Sequence, residues 1–69
     1  MKNVKLRAAR EKSGKTQAQV AREARVGLRL YQYYEAGKID PSVRTAIRIA
    51  RALGIKTLAA FYALWEEAT

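Results

Sequence analysis

Residues Thr16 to Lys38 read TQAQVAREARVGLRLYQYYEAGK, and two short helices with a three-residue break account for that order. Thr16-Gln17-Ala18-Gln19 has the form of a capping box, in which a hydroxyl meets the N–H three residues on and a glutamine amide reaches back. Val20, Ala21 and Ala24 then share one helical face at steps of three and four. Arg25-Val26-Gly27 breaks the pattern. A second helix runs from Leu28 to about Ala36, with Gly37 as a left-handed stop. Helices this close in sequence cannot run on in line, so the spacing predicts a helix-turn-helix. On the second of them, Leu28, Arg29, Gln32 and Tyr33 fall at i, i+1, i+4 and i+5 and share one side. Tyr31 and Tyr34 point toward the core side.

Working outward, three more helices fit the apolar spacing, and no stretch alternates with the period of a strand. One precedes the motif, from about Val4 to Lys12, with Asn3 as its N-cap and Ser13-Gly14 as its stop. Val4, Leu6 and Ala9 are expected on its inward side. After a loop over Lys38-Ile39-Asp40-Pro41-Ser42, the fourth helix spans about Ser42 to Leu53 and turns Ala46, Ile49, Ala50 and Leu53 inward. Gly54 ends it. Arg44, Arg48 and Arg51 line its other side, and Arg48 and Arg51 read as an ordinary solvated face. The fifth, near Thr57 to Glu67, places Leu58, Phe61, Tyr62 and Trp65 on one apolar stripe, mainly core, with part of it available to a second copy. Each helix is too short to persist alone in water, so mutual packing must hold them. The expected architecture is all-α: one compact five-helix domain over residues 1–69.

Composition narrows the chemistry. Sixty-nine residues without cysteine or histidine offer no disulfide, no thiolate and none of the commonest metal ligand or acid–base group. Neither a metal nor a cofactor is expected, and so small a domain has no room for an enclosed small-molecule site. Six carboxylates leave little from which to assemble an active site, so an enzyme is the weakest reading. No apolar run is long enough for a membrane span or a signal peptide, and the cytoplasm is the simplest location. Fourteen Lys and Arg against six Asp and Glu give a net charge of +8, and eight of the fourteen are arginine. Such a balance attracts polyanions, and the guanidinium fork suits phosphate and guanine.

The spacing of these residues resembles the phage-repressor and Cro class of helix-turn-helix regulators, the XRE family. Leu6 and Arg10 carry the resemblance in the first helix, followed by Thr16-Gln17, Val20-Ala21, Val26 and Tyr34-Glu35-Ala36-Gly37-Lys38. Pro41-Ser42 and Ala52-Leu53-Gly54-Ile55 complete it without a gap. The resemblance implies a lambda-repressor-like fold and binding to double-stranded operator DNA, as a homodimer because one such helix reads only a few base pairs. It implies base reading by Leu28, Arg29, Gln32 and Tyr33: arginine on guanine, glutamine on adenine, leucine on a thymine methyl. Thr16, Gln17, Lys38, Ser42 and Arg44 match phosphate-holding positions, and Arg10 with Glu35 matches a pair linking the first helix to the end of the recognition helix.

Three positions depart from that pattern. Arg25 stands where the turn usually has glycine, and Gly27 where the recognition helix usually has a Ser or Thr cap. Leu28, Leu30 and three tyrosines make the recognition helix unusually apolar. An exposed apolar face marks a contact surface of some kind. The alternative reading is therefore a protein-interaction module that uses this helix against a regulator or a polymerase subunit.

Overall fold

Asn3 shows how the first helix is set in place. Its side-chain oxygen accepts from the Leu6 N–H at 3.0 Å, its backbone N–H donates to the Glu35 carbonyl at 2.9 Å, and its amide donates to the Leu64 carbonyl at 2.7 Å. One N-cap residue thus ties three helices together. The computed structural model describes residues 3–65 as α1 (Val4–Ser13), α2 (Gln17–Glu23), α3 (Leu28–Glu35), α4 (Val43–Ala52) and α5 (Leu58–Ala63). There is no strand among the described residues, and the all-α class and the five helices are as the spacing predicts.

The boundaries follow from the caps. Both halves of the Thr16–Gln19 capping box are present. Ser42 and Thr57 accept from the N–H groups of Thr45 and Ala60 and so open α4 and α5. Gly14 takes the left-handed conformation after α1, as Gly54 does after α4. Beyond α3, Gly37 has φ 72°, and the Lys38 N–H returns to the Tyr33 carbonyl at 3.0 Å, closing a Schellman motif. At α3 only Gly27 stands before the helix, and no side chain caps it.

The core forms where α1, α2, α3 and α4 meet. Leu6, Val20, Tyr31 and Ile49 are fully buried there, and Ala21, Ala24, Ala50 and Ala52 let the backbones approach. Tyr31 and Tyr34 pack edge to face with ring centroids 6.5 Å apart, a favoured aromatic geometry. Leu64 closes the core from beyond α5, with Phe61 and Trp65 partly buried beside it.

Three expectations need correction. Val4 is 69% exposed, because the α1 face directed at the core is carried by Leu6 and Ala9. The α5 stripe splits: Leu58 and Tyr62 are 67% and 55% exposed, and Leu64 is the residue that fills the core. Helical spacing defines faces but does not say which face has a neighbour. The expected end of this helix at Glu67 lies outside the described residues. Arg48, read as solvated, is half-buried and donates to the Ala24 carbonyl at 2.8 Å across the α2–α4 contact. Its position looks outward from the α4 core residues, but α4 packs against α2, and the guanidinium reaches the end of that helix.

Candidate nucleic-acid interface

Helix α3 divides into two sides. Tyr31, Tyr34 and Glu35 are buried, whereas Leu28, Arg29, Gln32 and Tyr33 are exposed. The exposed four occupy the first turn and a half, beyond an N-terminus that only Gly27 precedes, so no bulky cap stands over them. Arg29 has no hydrogen-bond or ion-pair partner among the described residues, and its fork is free for a ligand. Tyr33 lies under the Lys38 ammonium, 5.3 Å from the ring centroid, a cation–π distance that orients both groups at the far end of the face.

Behind that surface runs a chain of polar groups. Arg10 meets Glu35 with Nε–Oε2 at 2.6 Å and Nη2–Oε1 at 3.3 Å, a two-point ion pair in which the Glu35 side chain is 5% exposed. The Gln17 amide donates to Glu35 Oε1 at 3.1 Å, and Gln32 donates to Gln17 Oε1 at 3.4 Å. The structure therefore joins four sequence-selected residues from three helices into one relay: Arg10, Glu35, Gln17 and Gln32. Together with Asn3, Val4, Arg7 and Ala36 they line an open cleft. Arg10 also donates to the Lys15 carbonyl at 3.0 Å, so each of its three nitrogens has a partner.

Burial pushes the Glu35 carboxyl up. The Arg10 guanidinium, the nearby Tyr31 hydroxyl and the Gln17 amide more than offset this, and hold it below its ordinary value. The hydrogen bond to Glu35 raises Arg10 in turn, against the effect of its own burial. Burial, with the carboxylate beside it, pushes the Tyr31 hydroxyl up as well. That hydroxyl is buried without a well-formed hydrogen bond. At neutral pH the cluster is a charged carboxylate and guanidinium beside a neutral phenol.

The remaining candidates sit at helix ends. Thr16 is exposed and its oxygen serves the Gln19 N–H. Ser42 serves Thr45 twice, accepting from its N–H at 3.2 Å and donating to its hydroxyl at 3.1 Å. Arg44 is exposed and without a partner among the described residues. Ser42 and Arg44 thus stand outside the Arg10–Gln32 relay.

Lys15, passed over in the sequence, and Arg48, read there as solvated, both bear on the motif. Lys15 donates to Glu23 and to the Ala52 carbonyl, each at 2.6 Å, and binds the end of α2 to the end of α4. Arg48 reaches the turn itself. The signal for Lys15 is its place just before the capping box.

The turn between α2 and α3 is the helix-turn-helix hinge. Arg25 has φ 60°, the one positive-φ residue other than glycine among those described. Its N–H returns to the Arg22 carbonyl at 3.1 Å and the Val26 N–H to the Ala21 carbonyl at 2.9 Å, a complete Schellman closure built on an arginine. The left-handed conformation costs a residue with a Cβ about 1–2 kcal/mol, so surrounding contacts must hold it.

Among the described residues no group of three or more His, Cys, Asp or Glu could hold a metal, and no helix is long and apolar enough to cross a membrane. No curated protein and no solved structure matches the chain. A family model described as helix-turn-helix matches residues 6–60, most of the sequence and all five helices up to the middle of α5. On that match the chain belongs to the helix-turn-helix family of DNA-binding transcription regulators, of the phage-repressor and Cro (XRE) type.

Proposed function

We propose that this chain is a sequence-specific repressor, one domain over residues 1–69, acting in the cytoplasm as a homodimer on a two-fold operator. The observation that carries the reading is the division of α3: a buried side locked to Arg10 and the core, and an exposed side on which Arg29 is unpartnered. A rigid helix with a free guanidinium in its first turn suits major-groove readout, where arginine meets both acceptors of guanine. Gln32, Leu28 and Tyr33 supply the adenine, thymine-methyl and edge contacts of the same face. Thr16, Gln17, Lys38, Ser42 and Arg44 serve as phosphate contacts, which set register rather than sequence. Occupancy of the operator is enough for repression. Leu58 and Tyr62, exposed on α5, belong to the surface between copies.

Selection of bound duplexes from a random pool tests this. The expected result is an enriched palindrome with half-sites about one helical turn apart, and a pool without enrichment overturns it. A second reading rests on Leu28 and Tyr33, apolar side chains exposed on the same side of α3. A protein partner on that face would bind with little dependence on salt, whereas DNA binding weakens steeply with it.

A further inference from the structure

We infer that Arg48, from α4 and outside the two-helix motif, is a positioning residue that holds the turn of the helix-turn-helix in its left-handed form. The peptide between Ala24 and Arg25 is pinned at both edges. Its carbonyl accepts from Arg48 Nε at 2.8 Å, and its N–H donates to the Arg22 carbonyl at 3.1 Å. The next peptide is fixed by the Val26 N–H on the Ala21 carbonyl at 2.9 Å. With both flanking planes fixed, φ at Arg25 has no freedom left, and it stands at 60°. Glycine adopts that angle at no steric cost and arginine does not. Two of the three bonds are internal to the α2 end and accompany any such closure. The third comes from another helix and carries a full positive charge to the negative end of α2.

Arg48 is itself held. It donates through Nη2 to the Thr45 hydroxyl oxygen at 3.2 Å, and Ser42 donates to the same oxygen at 3.1 Å. Ser42 is the N-cap of α4, so the start of α4 and the α2–α3 turn are joined through one guanidinium. Ala24 is fully buried, with the half-buried Arg48 on its carbonyl. The role deepens the DNA-binding reading, because the angle at residue 25 sets how α3 projects from α2.

The test compares Arg48→Met, which keeps the aliphatic stem and loses the donors, with the parent chain in Arg25 and Arg25→Gly backgrounds. In the free protein, nuclear magnetic resonance reads φ at residue 25 through the strong intraresidue HN–Hα cross-peak of the left-handed region. The parent should show it, Arg48→Met should lose it, and the Arg25→Gly pair should keep the left-handed turn with or without Arg48. Affinity for a duplex recovered by selection is read below the melting range of every variant. Arg48→Met should bind about tenfold more weakly, as for loss of a charged hydrogen bond, with an unchanged salt slope. In the Arg25→Gly background the loss should be at most twofold. A merely structural bond would lower the melting temperature and leave both φ and the affinity of the folded chain unmoved. That result overturns the proposal. So does a salt slope that falls by about one unit, the mark of a direct phosphate contact. If Arg48→Met is too unstable to assay, Arg48→Lys takes its place, since an ammonium cannot serve Ala24 and Thr45 with a flat fork. If the parent binds no duplex, the operator reading fails while the measurement of φ still decides the role of Arg48.

Discussion

The Gln17 amide donates to Glu35 at 3.1 Å and accepts from Gln32 at 3.4 Å, which leaves one N–H for a phosphate. Gln32 is correspondingly less free than its exposure suggests, although a 3.4 Å bond is long and is exchanged for a base at little cost. Arg29 is under no such restraint. Arg29→Ala should cost about 1–3 kcal/mol on the selected operator and relax the preference at one base pair per half-site. Lys38→Ala should weaken selected and scrambled duplexes alike and reduce the salt slope by about one unit. Binding isotherms on both duplexes check the pair. An equal loss on the two by Arg29→Ala would make that residue one more phosphate contact. The exposure of Arg29 was legible because the spacing that defines the buried side of a helix defines the exposed side too. Arg48 was not, because its function lies in a contact with a carbonyl twenty-four residues away, and a carbonyl leaves no mark in the sequence.

At the scale of the element, α3 is anchored to α1 through Arg10 and Glu35. The carboxyl of Glu35 is held below its ordinary value of 4.5 in the folded chain, despite a burial that acts the other way. A carboxyl depressed on folding stabilises the protein fully above the unfolded value and loses that contribution as the pH falls through the folded one. Stability should therefore be level through neutral and mildly acid pH and fall once the pH drops below 4.5. Glu35→Ala should flatten that fall. The same variant strands a buried guanidinium and should cost about 3–5 kcal/mol. Glu11→Ala removes only the exposed pair with Arg7, both side chains being more than half exposed, and should cost about 0.5 kcal/mol or less. Thermal melts of both variants across pH decide it, and equal shifts would remove the special role of the pair. The caps at Asn3, Thr16 and Gly37 were legible, since each acts within a turn of itself, whereas Ser42 and Thr57 were read as the first residues of helices that they in fact cap. Val4 and the α5 stripe were misread for the opposite reason: their burial depends on which neighbour the tertiary fold supplies.

At the scale of the whole molecule, Glu11, Glu35 and Glu23 are occupied by Arg7, Arg10 and Lys15. Arg29, Lys38 and Arg44 have no carboxylate partner among the described residues, so these three cations contribute to the net +8 charge without a neutralising contact. Each phosphate neutralised contributes about −0.9 to the slope of log affinity against log salt. A chain that holds DNA at several cations must therefore weaken steeply between low and physiological salt. That dependence reports contact with DNA but not the number of copies bound. Leu58 and Tyr62 separate the two. They are the large exposed apolar residues of α5, a helix separate from α3. In a dimer on a two-fold operator, Tyr62→Ser should leave affinity for an isolated half-site unchanged within about twofold. It should weaken binding to the full palindrome by tenfold or more, which is about 1.4 kcal/mol at the shared surface. Inserting about five base pairs between the half-sites turns them to opposite sides of the duplex and should bring the parent down to the affinity of the variant. Titrations on half-site, full-site and respaced duplexes at one salt concentration measure all three quantities. If Tyr62→Ser loses nothing on the full palindrome, the copies bind independently, and α5 is not the surface that joins them.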